Sequence, residues 1–290
     1  MNRRPDYSFR SFLEIVMEVI FLLAACVSVL CVALICVFLF ANGLPAIGKI
    51  GPLQFLLGTK WKPGNDLFGI APMILGSLYV TAGAILVGVP VGVLTALFLA
   101  RFCPRKLYQI LRPAVNLMAG LPSIIYGFFG LVVLVPWMRG LFGAGKSILT
   151  AAILLGIMIL PTVISVSESA LRAVPAQYYE GALALGATHE RSVFFMVLPA
   201  AKSGVTASIV LGIGRAVGET MAVIMVAGNQ AMIPESITSG VRTLTANIVL
   251  EMGYAADLHR EALIATAAVL FVFILLINLL LSLMKRRTAK

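Results

Sequence analysis

Charge is scarce in this chain. Only 12% of its 290 residues are Asp, Glu, Lys or Arg, against roughly a quarter in soluble domains, which excludes a soluble globular fold. Histidine and cysteine are scarcer still. His189 and His259 stand apart from each other, and the four cysteines include no CxxC pair, so no zinc or redox cluster is offered. No serine lies near a histidine within an apolar stretch, which leaves no hydrolase working inside a membrane. Cys26, Cys31 and Cys36 sit five apart in one apolar run and Cys103 at the edge of another. They are expected to be small packing or lipid-facing residues. Regular two-residue alternation is also missing, so a membrane barrel is excluded. No repeat of fixed period and no linker interrupts the chain.

What remains is apolar. The chain is 60% hydrophobic, with mean hydropathy +1.03. Crossing a bilayer takes about 20 apolar residues in a helix, and six stretches qualify: 15–41, 69–100, 113–138, 147–171, 203–233 and 262–284. The expected fold class is an all-α membrane protein of six transmembrane helices. The net charge of +10 follows the membrane, not a nucleic acid. With the N-terminus in the cytoplasm, 14 of the 22 lysines and arginines fall on the cytoplasmic side and 7 outside, with Arg215 inside a span. That bias predicts both termini in the cytoplasm. Glu14 and Glu18 follow the basic start, and the apolar run Val19 to Ala41 exceeds a signal core, so the first span reads as an uncleaved anchor.

Three regions follow. Residues 1–68 hold the first helix and an outer segment rich in Gly and Pro, with Trp61 expected at the interface. Residues 69–284 form one integral unit. Residues 285–290 make a basic tail. Within the unit, Leu121-Pro122-Ser123 breaks the third span. It serves either tight packing or the lining of a solute path. Gly140 to Ser147 fits the G-x-x-x-x-G-K-[ST] phosphate loop letter for letter. That loop works between a buried strand and a helix, with a later acidic residue for magnesium. Here both neighbours are membrane spans and Lys146 falls outside, so an outer hairpin is expected.

The polar stretch 175–199 falls on the cytoplasmic side. It holds a helix-forming run with Glu180-Gly181-Ala182, a break at Gly186, a second amphipathic run, and Leu198-Pro199. It resembles the EAA coupling loop of type-1 ABC importer permeases. That resemblance implies that these six residues dock on a cytoplasmic ATPase, with 69–284 as the permease domain. Gly181 stands where that motif often has alanine.

Arg215 and Glu219 lie in Gly214-Arg-Ala-Val-Gly-Glu-Thr220, mid-span. An arginine there costs about 2.5–3.5 kcal/mol to insert. Their i, i+4 spacing would place both on one helix face, where they would pair. Two roles fit: a neutral pair that aids insertion, or an anion-pathway site. Guanidinium suits phosphate through its bidentate fork. A carboxylate can accept the proton that phosphate retains and sulfate lacks. The segment 212–229, Leu121 to Gly127 and Thr243 to Ile248 resemble the PstC-type permease of phosphate-specific ABC importers, and the likeness covers nearly the whole chain. It implies an inorganic phosphate pathway through Arg215, Glu219, Ser123 and Thr220, with no catalytic or metal site. It implies no cofactor bound by this chain, ATP and magnesium being used by a partner. The implied partners are a similar PstA-like permease, two PstB-like ATP-binding subunits, a PstS-like phosphate-binding protein outside, and membrane lipid. Rival readings are a sulfate or molybdate permease and an ion-coupled secondary transporter.

Overall fold

The computed structural model describes the backbone of residues 7–288 and the side chains of 14–280. Its helices are α1 (Tyr7–Ile50), α2 (Pro52–Leu57), α3 (Ala71–Leu97), α4 (Arg105–Gly120), α5 (Ser123–Phe129), α6 (Val135–Phe142) and α7 (Ile148–Arg172). They continue as α8 (Ala176–Ala184), α9 (His189–Ser192), α10 (Leu198–Ala200), α11 (Lys202–Gly218), α12 (Met221–Val226), α13 (Leu244–Glu251) and α14 (Asp257–Thr288). One small antiparallel hairpin pairs β1 (Trp61–Lys62) with β2 (Leu67–Phe68). π-helical turns at Phe98–Phe102, Gly130–Leu134 and Val193–Val197 prolong or join helices. Such turns insert a residue into the α register.

Five helical stretches are long and apolar enough to cross a membrane: Glu14–Ile50, Ala71–Phe102, Ser123–Phe142, Ile148–Arg172 and Asp257–Leu280. The expected fifth span is present in pieces. α11 stops at Gly218, α12 resumes at Met221, and the helix ends at Val226 instead of reaching 233. The third span also differs. Its expected first third belongs to α4, a separate amphipathic helix whose Tyr108, Leu111 and Val115 pack toward Leu99 and Ile164. Leu121 and Pro122 are extended, with ψ of 131° and 142°, so the spanning helix starts at Ser123. Proline steers its predecessor out of the helical region.

The outer segment is more ordered than its composition suggests. α1 runs on through Pro45 to Ile50 because packing holds it. A Cβ on Gly43 would sit 3.0 Å from the Ala265 backbone of α14. Phe40 meets Phe271 edge to face, and Lys49 pairs with Glu261 at 2.7 Å. Trp61 is buried, not interfacial. Its indole Nε1 donates to Glu251 at 2.7 Å, and Arg242 and His259 Nε2 meet the same carboxylate. A buried indole and a buried carboxylate each need such a partner.

α3 and α7 form the centre of the core. Gly88 of α3 lies so close to α7 that a Cβ there would meet the Gly156 carbonyl at 2.6 Å. α5 packs on α12 just as closely, at Gly127 against Ala222. Residues 143–147 form no strand. They turn between α6 and α7, and Ser147 caps α7 by accepting from Thr150 N–H. The phosphate-loop pattern therefore lacks the strand it needs. The Ser147 amide donates to the Val226 carbonyl, which anchors this turn on α12.

Candidate functional site

Two helix breaks lie in the core, and the helices that follow them, α5 and α12, pack together. α4 gives way to α5 at Leu121–Pro122, and α11 gives way to α12 at Glu219–Thr220. A broken span frees backbone groups that must find partners. Tyr126 supplies one, its hydroxyl donating to the Met118 carbonyl at 2.8 Å. The Thr245 hydroxyl supplies another, donating to the Glu219 carbonyl at 3.0 Å. Ser123 is the first residue of α5 and is half-buried.

Arg215 and Glu219 do not form the expected i, i+4 pair. No ion pair joins them among the described residues. The reason is local. Glu219 is extended (φ −70°, ψ 134°), so the helical register ends before it. Its Oε1 accepts from the Ala222 amide at 3.0 Å, at the start of α12. A carboxylate is favoured at a helix N-terminus. Arg215 Nη1 instead donates to Thr162 Oγ1 of α7 at 3.2 Å. Thr220 stands between the two helices, and its hydroxyl donates to the Gly218 carbonyl at 3.3 Å. Arg215, Glu219 and Thr220 are all half-exposed. The site thus keeps a guanidinium with unused N–H donors and a carboxylate with one oxygen engaged. A second guanidinium cluster joins α4 to α7. Glu168, 3% exposed, meets Arg112 at 2.9 Å and Arg172 at 2.8 Å and accepts from the Tyr108 hydroxyl at 2.9 Å. Sequence reading passed over Thr162, Tyr126 and this cluster. Only the i, i+4 spacing of Glu168 and Arg172 was legible beforehand.

The expected coupling segment folds as two helices and an elbow. α8 carries Glu180 and Gly181 on its exposed side and buries Ala182. It ends in a Schellman turn: Ala187 N–H donates to the Ala182 carbonyl and Gly186 N–H to that of Leu183. Gly186 has φ +83°, which glycine adopts without penalty. Thr188 then caps α9 by accepting from Arg191 N–H. Glu190 is held below the usual carboxylate range by its own backbone amide, helped by the Thr188 hydroxyl. Leu198 and Pro199 open α10, and the chain bends by 69° into α11. The elbow borders an open cleft of about 590 Å³ lined by Tyr178, Ala182, Leu185, Arg191, Phe195 and Met196. Leu185 is 91% exposed and Phe195 71%. Behind it, Tyr179 bonds His189 Nδ1 at 2.7 Å, and Phe102 stacks edge-on against that ring.

The family described as "binding-protein-dependent transport system inner membrane component" matches residues 88–290. The chain belongs to that family. This transport component is 36% identical to the phosphate transport system permease protein PstC of Mesorhizobium japonicum over 82% of this chain and 80% of the relative. It is 35% identical to the probable ABC transporter permease protein YqgH of Bacillus subtilis over 97% and 93%. Among solved structures, the inward-facing MetNI methionine ABC transporter matches with TM-score 0.64 and 21% identity, over 80% of this chain and all of that one. A bacterial alginate ABC transporter matches with TM-score 0.63 and 17% identity, over 97% and 96%. The fold is therefore the type-1 ABC importer permease fold. The transport component is a multi-pass inner-membrane subunit that works with an ATPase and a solute-binding protein, and ATP hydrolysis belongs to the ATPase.

Proposed function

We propose that this chain is the permease subunit of an ATP-driven importer of inorganic phosphate. The observation that carries the reading is Arg215, a half-exposed arginine at a break between two membrane helices, unpaired with the carboxylate four residues on. Such a group is costly within a bilayer and is a functional-site hypothesis by default. Its fork suits a tetrahedral oxyanion. Glu219 keeps Oε2 free of any described hydrogen bond, so it is open to the proton of hydrogen phosphate. Relatives named for phosphate transport support the same solute. Ser123 and Thr220, at the starts of α5 and α12, line the path beside that pair.

The partners in this reading are a similar second permease, two ATP-binding subunits and an external phosphate-binding protein. Both termini lie in the cytoplasm. The coupling segment then faces the ATP-binding subunits, which seat on Leu185 and Phe195 around the elbow. ATP-driven movement of the elbow swings α11 through the 69° bend and opens the breaks to one side, then the other.

Transport by the reconstituted complex tests this. Arg215→Lys keeps the charge but loses the fork, and is expected to abolish most phosphate uptake with the complex assembled. Glu219→Gln is expected to slow phosphate and to weaken rejection of sulfate. Parental phosphate uptake in both assembled variants overturns the reading.

A further inference from the structure

Arg215 is one of two arginines laid over the same face of α7. Arg112, from α4, donates through Nη1 to Ser165 Oγ at 3.1 Å. Thr162 and Ser165 are three residues apart, so they share a helix face with a rise of about 4.5 Å between them. Ser165 lies nearer the end of α7 that leads into α8. On this helix the neighbouring Pro161, Val163, Ile164, Ser167 and Glu168 are buried, while Thr162 and Ser165 are half-exposed and Ser169 is exposed. The face that both guanidinium groups reach is the open one.

We propose that Arg112 and Ser165 form a second oxyanion site, one helical turn from Arg215 toward the coupling segment, where the anion rests after leaving the first. This rests on the phosphate-pathway reading above. Charge and donor count carry it. Arg112 and Arg172 share one carboxylate, Glu168, which leaves one positive charge in excess. Arginine has five N–H donors, and both polar contacts of Arg112 use Nη1 alone. Nε and Nη2 remain for two oxygens of a tetrahedral anion. Arg112 need not leave Glu168 to do this, because its contacts with Glu168 Oε2 and Ser165 both run through Nη1, while Arg172 Nε and the Tyr108 hydroxyl hold Oε1. The Arg112 side chain is 26% exposed, so the site is open. A hydroxyl with a guanidinium at each of two successive turns gives the anion a next partner before it releases the last.

Thiol labelling in the full importer tests the proposal. The four native cysteines are changed to serine, and Ser165→Cys or Thr162→Cys is introduced singly. Both are close in size to the native side chain. A cationic methanethiosulfonate reagent is applied with inorganic phosphate, or with chloride at equal ionic strength. Phosphate is expected to slow labelling at 165 at least fivefold. Adding Arg112→Gln is expected to remove that protection at 165 and leave protection at 162. If protection at 165 survives Arg112→Gln, or if cysteine at 165 never reacts, there is no second site, and protection at 162 still upholds the first. If phosphate protects neither position, the pathway reading itself falls, and the second site with it.

Discussion

Tyr126 donates its hydroxyl to the Met118 carbonyl across the break between α4 and α5. It is the brace of that break, because Leu121 and Pro122 are extended and the helical bonds around them lapse. The Tyr126 side chain as a whole is buried. Tyr126→Phe removes the donor and little volume, so it is expected to cost about 1 kcal/mol. The measurable result is a lowered melting temperature of the detergent-solubilised complex and slower uptake, with normal membrane insertion. An unchanged melting temperature and rate would show that the break needs no brace.

The elbow at Gly186 sets a second expectation. Proline fixes φ near −65° and has no N–H, whereas this position has φ +83° and donates to Leu183. Gly186→Pro must distort the α8–α9 turn, while the spans lie elsewhere. The chain should insert at parental levels, with ATP hydrolysis no longer driving uptake. Parental coupling in a fully expressed variant would rule out the elbow as the transmitting element.

Lys146 is exposed in the turn between α6 and α7, between buried Gly145 and Ser147. Lys146→Ala is expected to leave ATP-driven uptake within error of the parent. Loss of nucleotide binding by the purified chain after this change would restore the phosphate-loop reading.

The buried Glu251 joins buried Trp61 to the half-buried Arg242 and His259. Glu251→Gln leaves Arg242 without its countercharge. Breaking a buried pair costs about 3–5 kcal/mol. The variant is expected to unfold at markedly lower temperature. Arg242→Gln in the same chain should recover part of that loss, measured by thermal unfolding of the double variant.

The spans were legible because hydrophobic length is a local property: 147–171 reads as one span from sequence and folds as one helix, Ile148–Arg172. The breaks were half legible. Pro122 announced the first. Nothing local announced the second, since Gly218 and Glu219 sit in an apolar run and the break there is held by bonds that Glu219 accepts from the Ala222 amide and the Thr245 hydroxyl. The same blindness hid the partners of Arg215. Counting residues gave Glu219, but Thr162 comes from a helix 53 positions away. Trp61 misled for the opposite reason: an isolated indole in a polar segment suggests an interface, and only the fold supplies the carboxylate that lets it be buried.

α1 packs along α14 and α2 through its later part, where Gly43 and Ala46 are buried, while its most apolar 18 residues bury none of their number in the rest of the chain. The broken spans and the elbow owe nothing to its outward surface. The early part of α1 therefore meets what surrounds the chain, while its later part is fitted to α14 at Gly43, Phe40 and Lys49.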